Sequence, residues 1–176
     1  MPLMEAFGKR ASHRKCSGEE LGLQTISNLL WAAYGFNREG FRTAPSSHNR
    51  QEMELYVFLE NGVYLYDAAQ CRLVHKIDGD HRALTGGQDF VATVPMNVAF
   101  VADTAKITGK TPQGVLETIF VDTGFISENI YLYAASEGLN TVVRAMFDRD
   151  ALSEFLKLRP NQVITLVQSI GHPVEK

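Results

Sequence analysis

A polar segment, Thr43-Ala-Pro-Ser-Ser-His-Asn-Arg-Gln51, joins an apolar helical pattern to an apolar strand pattern. It packs directional hydrogen-bonding side chains into adjacent positions and carries no full charge before Arg50. Serine offers a donor and an acceptor on a short arm, while each amide offers one acceptor and two donors. This set fits the edge of a planar heteroaromatic ligand, and an ordinary polar linker is the alternative.

Length and composition are those of a globular chain. The sequence has 176 residues, of which 45% are hydrophobic and 21% charged, with a formal net charge of -3. These values predict one domain, residues 1–176, with a buried core. Nucleic acid is not an expected partner, because the chain has no strong Lys/Arg excess.

Compartment signals are few. The two cysteines, Cys16 and Cys71, form no CxxC pair and are expected to be reduced thiols. No apolar run approaches the roughly 20 residues that cross a bilayer, so no membrane association is expected. The start of the sequence has no signal-peptide pattern, which favours a cytoplasmic location but leaves an exported precursor open.

Helical spacing of apolar residues recurs in several segments. Ser17-Gly-Glu-Glu20 resembles a capping box, and Gly35 is expected to end the helix that follows it. Asp148 or Asp150 is expected to cap the last helix. The predicted helical segments are residues 2–10, 23–34, 111–121, 123–139 and 148–158.

Strand patterns lie between these helices. Asn61-Gly62 predicts a tight hairpin, and the unbroken apolar run 98–102 predicts a strand buried on both faces. The predicted strands are residues 53–60, 63–67, 72–77, 98–102 and 162–170. Because helices and strands do not alternate regularly, we predict an α+β fold. Because the sequence has no GxGxxG motif and no Walker loop, we do not expect a nucleotide bound by a glycine-rich loop.

Three polar groups could carry chemistry. Arg10-Ala-Ser-His-Arg14 offers two guanidinium groups and a hydroxyl suited to phosphate, with a solvated basic surface as the alternative. The second group is the segment 43–51. The third is Ser136-Glu-Gly-Leu-Asn140, where Gly138 would let the backbone approach another group; a plain helix end is its alternative.

Hydrolytic and metal sites are disfavoured. Ser46 and Ser47 lack a G-x-S-x-G elbow, and adjacent Ser and His48 side chains diverge in an extended segment. Asp78-Gly-Asp-His81 is better explained as a turn than as a metal loop, because no complete ligand spacing follows. We therefore predict no catalytic side chain of that kind and no metal site.

Together the three groups resemble the FMN-dependent nitroreductase family. The resemblance rests on Arg10-x-Ser-x-Arg14, on Pro-Ser-Ser-x-Asn-x-Gln at 45–51 and on Glu-Gly-Leu at 137–139, in the same order and with fitting separations. The helix at 23–34 followed by Arg-Thr-Ala-Pro-Ser-Ser is similar to the compact branch that includes SagB-like dehydrogenases. The resemblance spans almost the whole chain.

The resemblance implies a cofactor site for FMN. Arg10 and Ser12 would hold its phosphate and ribityl chain, and Arg14 would approach the pyrimidine side of the ring. Glu137 and Gly138 would lie near N5. The remaining implied contacts are Pro45, Ser46, Ser47 and Asn49, which would come from the partner subunit, and Lys176, as the basic residue after the Gly171-His-Pro173 turn. Cys16 and Asn140 depart from the family pattern.

The resemblance also implies a fold and a function. The fold would be a mixed sheet flanked by helices in an intertwined homodimer with a long central helix. The function would be an NAD(P)H oxidoreductase that passes a hydride through flavin N5 to nitroaromatics, quinones or similar small-molecule acceptors in a ping-pong cycle, with the flavin carrying the chemistry. A SagB-like azoline-oxidising dehydrogenase and a flavin-binding protein without turnover are the alternatives.

Overall fold

The computed structural model describes residues 1–174. Its helices are α1 (Leu3–Lys9), α2 (Leu23–Tyr34), α3 (Pro112–Glu137) and α4 (Arg149–Phe155). Its strands are β1 (Phe36–Arg38), β2 (Phe41–Arg42), β3 (Met53–Leu59), β4 (Gly62–Asp67), β5 (Arg72–Asp78), β6 (Met96–Asp103), β7 (Asn140–Arg144) and β8 (Gln162–Gly171). The predicted α+β class is confirmed.

Six strands form one sheet in the order β5-β4-β3-β6-β8-β7. Every pairing among the described strands of this sheet is antiparallel, so the sheet is antiparallel rather than mixed as the resemblance implied. The predicted hairpin is confirmed, because Leu59 pairs with Gly62 across the Asn61-Gly62 turn. Strand β6 is buried along its full length, as predicted for residues 98–102. Residues 36–42, a connector without strands in the sequence pattern, form the small hairpin β1–β2.

The long helix α3 is continuous where the sequence predicted two segments, 111–121 and 123–139. The Thr111 hydroxyl accepts from the Gly114 N–H at 3.2 Å and caps its start. Nothing between the predicted segments breaks the helix, since Thr123 turns its hydroxyl to the Ile119 carbonyl within the same helix. Gly138 ends α3 in the left-handed region with φ 70°.

The capping box predicted at Ser17 is wrong. The Ser17 N–H donates to the His172 carbonyl at 2.8 Å, so this residue is paired with the end of β8 rather than with a helix start. Helix α2 begins later, with Gly22 at its N-cap and Gly35 at its end as predicted. Asp148 caps α4 by accepting from the Ala151 N–H at 3.0 Å.

The core lies on both faces of the sheet. Helices α2 and α3 cover one face, where Leu29, Ile126 and Phe100 share one buried cluster. Leu152 of α4 and Phe58 of β3 belong to a second cluster. Each fully buried aliphatic or aromatic side chain of this size stabilises the fold by about 1.5–3 kcal/mol, so both helical layers are fixed to the sheet.

Candidate functional site

Arg10 and Ser12 both lie against Tyr131 of α3. The Arg10 guanidinium carbon is 5.3 Å from the centroid of the Tyr131 ring, and the Ser12 and Tyr131 hydroxyl oxygens are 2.8 Å apart. The Tyr131 hydroxyl also accepts from the Val143 backbone N–H at 3.0 Å. Tyr131 is buried and therefore forms a fixed platform that joins the basic segment to α3 and β7.

The same basic segment continues beside the start of β7. The His13 N–H donates to the Thr141 carbonyl at 2.9 Å, and the Asn140 amide donates to the Lys15 carbonyl at 2.6 Å. A cavity of about 180 Å³ lies between this segment and the end of α3 at Gly138. The structure thus brings the first and third polar groups of the sequence together.

The charges of this region are available to a ligand. No carboxylate among residues 1–174 forms an ion pair with Arg10 or Arg14, whereas neighbouring Lys9 pairs with Glu5 at 2.8 Å. Arg14 is exposed, as is Glu137 at the end of α3. A basic segment whose two arginines have no carboxylate partner in the described range, and which meets a helix end in the left-handed conformation, is suited to an anionic, planar ligand.

The second polar group folds into a strained turn over residues 46–51. His48, Asn49 and Gln51 all have positive φ, at 56°, 53° and 50°. The Ser46 hydroxyl accepts from the Gln51 N–H at 3.0 Å, which closes the turn on itself. The Asn49 amide donates to the Gly40 carbonyl at 3.0 Å, and the Gln51 amide donates to the same carbonyl at 2.8 Å. These polar groups close the turn and bind it to the neighbouring β1–β2 hairpin, which the sequence pattern did not indicate.

The turn and the basic segment do not meet among the described residues of one chain. The turn is fixed to α3 at Asp122, because the Ser47 N–H donates to its carboxylate at 2.9 Å. At a rise of ~1.5 Å per residue, Asp122 and Gly138 are about 24 Å apart along α3. Pro45, Ser46 and Asn49 instead line a separate hollow of about 360 Å³ beside the hairpin β1–β2.

Ser47 and His48 do not diverge as predicted. The left-handed φ of His48 brings the Ser47 hydroxyl to 3.3 Å from His48 Nδ1. The divergence argument is therefore wrong for this turn. Arg50 nevertheless places a guanidinium N–H 2.8 Å from the same Nδ1, which occupies the lone pair that a general base would need.

Sequence reasoning missed three residues of these two regions: Tyr131, Glu52 and Asp122. Tyr131 is a large polar residue within the buried stripe of α3. A hydroxyl at such a position needs a hydrogen-bond partner, and this was the sequence signal that could have identified it. Glu52 and Asp122 are buried carboxyls, 0% and 3% exposed. A charged residue inside an apolar helical pattern was the signal for Asp122, whereas Glu52, at the start of β3, had none.

The C-terminal turn lies against the basic segment. Pro173 forms an isolated bridge with Cys16, and Gly171 is where the two chain segments come closest. A Cβ on Gly171 would lie 2.7 Å from Pro95 Cδ and 2.9 Å from Cys16 Cβ, so only glycine fits there. Burial raises the pKa of the Cys16 thiol to about 11. Lys176, the other predicted cofactor contact, lies outside the described residues.

Neither a metal cluster nor a membrane-spanning helix is present among residues 1–174. No group of three or more His, Cys, Asp or Glu side chains is arranged to hold a metal ion there. Asp80 of the predicted turn instead forms an ion pair with Arg82 at 2.7 Å. None of the helices in this range has the length and hydrophobicity needed to cross a membrane.

Comparison with known proteins identifies the class to which this fold belongs. The sequence profile of the Nitroreductase family matches residues 8–172. A nitroreductase homologue from Methanocaldococcus jannaschii is 30% identical over 98% of this chain and 92% of its own length. The chain belongs to the nitroreductase family, and it is an oxidoreductase.

Solved structures agree with this assignment. A nitroreductase-family structure from Ralstonia eutropha JMP134 has 38% identity and a TM-score of 0.94, covering all of this chain and 85% of that one. A structure described as an NADH oxidase from Clostridium acetobutylicum has 23% identity and a TM-score of 0.68, and the match covers 99% of this chain and 89% of that one. The second likeness concerns the fold alone.

Proposed function

We propose that the chain is an FMN-dependent NAD(P)H oxidoreductase that reduces nitroaromatic, quinone or similar acceptors in a ping-pong cycle. The observation that carries this proposal is that the basic segment, through Ala11 and His13, meets the left-handed end of α3 at Gly138 around one cavity. Arg10 and Arg14 of this segment have no carboxylate partner among residues 1–174. A dianionic phosphate needs cationic donors, and a planar ring needs backbone that can approach it closely.

The residues present fit FMN. Arg10 and Arg14 have no carboxylate partner among residues 1–174, so a bound phosphate would not have to displace one. Ser12 is held in place by Tyr131 and keeps hydrogen-bonding capacity for a second partner. These residues therefore offer cationic groups that could bind a phosphate and polar groups that could form hydrogen bonds with the edge of a ring.

Each residue would take one role. Arg10 and Ser12 would hold the phosphate and ribityl chain, and Arg14 would lie near the pyrimidine side of the ring. Glu137 and Gly138 would line the opposite edge. FMN, when bound, supplies a two-electron redox centre between NAD(P)H and the acceptor. The Arg14 charge would stabilise negative charge on the reduced ring and so favour reduction.

A homodimer would complete the site. Ligand cavities commonly measure about 300–1,000 Å³, whereas the cavity beside Gly138 is about 180 Å³ in one chain. Apolar side chains are also left exposed on α1 and α3, and these are Leu3, Met4, Phe7, Leu116, Phe120, Val121 and Phe125. Exposed large apolar side chains in this number are typical of an interface.

In that dimer the turn 46–51 of one subunit would contact the flavin of the other. Pro45, Ser46, Ser47 and Asn49 cannot reach the cavity of their own chain, since the turn is fixed to α3 at Asp122.

We also propose that the whole chain, residues 1–176, acts as one flavin-binding domain.

The test is a visible spectrum followed by anaerobic mixing. Purified protein is titrated with FMN while flavin absorbance and fluorescence are recorded, and the complex is then mixed with NADH or NADPH. The proposal predicts stoichiometric binding and rapid bleaching with at least one of the two donors. Absence of FMN binding would overturn it. If the bound flavin stays oxidised with both donors, the chain is not an NAD(P)H oxidoreductase, and the result favours an azoline-oxidising dehydrogenase or a flavin-binding protein without turnover.

A further inference from the structure

Two buried carboxyls lie directly behind the turn 46–51. Asp122, in the middle of α3, is 3% exposed and accepts the Ser47 N–H at 2.9 Å. The bond holds Ser47, and the next two residues of the turn, His48 and Asn49, have positive φ. One interior carboxylate thus joins a strained surface turn to α3.

Glu52 is the second of these carboxyls. It follows the turn, is 0% exposed, and neither of its carboxyl oxygens has a hydrogen-bond partner among residues 1–174. Its carbonyl accepts from the Asp103 N–H at 2.9 Å, which fixes its backbone to β6. Burial raises the pKa of Glu52 to about 7, and the adjacent Asp122 raises it as well. Two neighbouring buried carboxyls are stable together when one of them carries a proton.

Other charged and titratable groups face the pair from two sides. Lys106 donates from Nζ to the Gln51 carbonyl at 3.0 Å, and its charge lowers the pKa of Glu52. Tyr34 of α2 places a buried hydroxyl nearby that has no hydrogen-bond partner in the described part of the chain. The Arg42 guanidinium covers the Tyr34 ring at 4.2 Å. Lys106 thus opposes the effect of Asp122, but it lies beside the turn rather than between the two carboxyls.

We propose that Glu52 lies protonated beside the Asp122 carboxylate, and that its neutral form keeps Asp122 where it accepts the Ser47 N–H and holds the turn 46–51 on α3, so both are positioning residues. The inference rests on the proposed function, since the turn is taken to contact FMN. Loss of the Glu52 proton to solvent leaves two adjacent negative charges in the interior. Their repulsion moves Asp122 away from the Ser47 N–H, so the Ser47 end of the turn loses its bond to α3.

The turn can be examined without flavin. Amide hydrogen exchange of the full chain, corrected for the pH dependence of unstructured amides, reports the protection of the Ser47 N–H at pH 6 and pH 8. The proposal predicts that protection falls about tenfold in the wild type and stays constant in Glu52→Gln. The glutamine retains the shape of protonated Glu52 and can donate its amide to Asp122, but it has no proton to lose.

Flavin affinity provides the second readout. FMN is titrated into wild type, Glu52→Gln and the matched control His48→Gln at pH 6 and pH 8. The phosphate of FMN itself titrates near pH 6, so the informative quantity is the wild-type Kd divided by the Glu52→Gln Kd. We expect this ratio to rise about tenfold between the two pH values, because the protonated fraction of Glu52 falls by that factor.

Two variants separate Glu52 from its titratable neighbours. His48 lies in the same turn, and imidazoles ordinarily titrate near neutral pH, so His48→Gln must keep the wild-type pH dependence. Asp122→Asn keeps an acceptor for Ser47 and removes the neighbouring charge, so it should move the transition to lower pH. A pH dependence of Ser47 exchange that persists in Glu52→Gln, or a wild-type pH dependence that disappears in His48→Gln, would overturn the inference.

Failure of this inference and failure of the proposed function give different results. If wild-type protein binds no FMN at any pH, the proposed function fails, and the Ser47 exchange experiment alone decides whether protonated Glu52 keeps Ser47 bound to Asp122. If FMN binds and the Kd ratio does not change with pH, the flavin site stands and the role of Glu52 and Asp122 is contradicted.

Discussion

The basic segment 10–16 and the turn 46–51 use polar residues in opposite ways. Arg10 and Arg14 leave their charges without a carboxylate partner among residues 1–174, whereas Ser46, Asn49 and Gln51 form hydrogen bonds within their own turn and to the Gly40 carbonyl between β1 and β2. A polar sequence therefore does not by itself identify a ligand contact. The first region is available to bind, and the second is built to keep its shape.

This difference predicts that the largest effect on binding comes from the basic segment. Arg10→Ala should weaken FMN binding by about 1.5–3 kcal/mol, the usual contribution of a hydrogen bond to a charged group. Fluorescence titration gives the Kd. Arg72→Ala is the matched control, since it removes the same charge from the β4–β5 hairpin, where Arg72 pairs with Asp67. Equal affinities of wild type and Arg10→Ala would remove Arg10 from the site.

The buried carboxyl behind the turn should affect stability next. The folded chain keeps the Glu52 proton up to about pH 7, while the unfolded chain releases it near the ordinary value of 4.5. Stability therefore falls as pH rises through this window and is lowest above it. Glu52→Gln does not lose this stability, so at pH 8 it should be more stable than wild type by about 1–3 kcal/mol.

Urea unfolding at pH 5 and pH 8 measures that difference. The gap between the two proteins should be small at pH 5, where Glu52 is protonated in the folded state, and large at pH 8. A Glu52→Gln variant that is less stable than wild type by the same amount at both pH values would show that Glu52 has only a packing role.

The turn itself should give the smallest effect. Asn49→Ala removes the amide bonded to the Gly40 carbonyl and leaves alanine at φ 53°, so the free energy of unfolding should fall by about 1–2 kcal/mol. Asn49→Gly is the matched variant: it tolerates the same φ and lacks the same amide, so it should lose less. If both variants keep the wild-type stability, the Asn49 bond to the Gly40 carbonyl does not support the turn; a changed flavin spectrum alone would then leave Asn49 with a ligand role only.

Local signals predicted most of the fold. The spacing in α2, the Asn61-Gly62 hairpin and the buried run of β6 each depend on neighbouring residues, and each was found. Two failures are local, the missed β1–β2 hairpin and the predicted division of α3, and the others involve partners distant in sequence. Ser17 pairs with His172 instead of capping a helix, and the short strand β7 exists because it pairs with β8.

The residues of the candidate site also divide into those predicted from one short stretch and those that depend on contacts distant in sequence. Arg10, Ser12 and Arg14 could be predicted, because their spacing and their resemblance to a family are read from one short stretch. For Tyr131 the sequence signalled only a polar residue in the buried stripe of α3; its contacts with Arg10 and Ser12 could not be predicted, since they join segments distant in sequence. Glu52 and Asp122 were missed for a related reason: burial of a carboxyl is set by tertiary packing rather than by its neighbours in the chain.

The central claim is that two chains together complete one flavin site, with the basic segment of one subunit facing the turn of the other. Sedimentation equilibrium during an FMN titration tests it most directly. The account predicts a species with twice the mass of the 176-residue chain that binds one FMN per chain. A single chain that binds FMN with full affinity would contradict it.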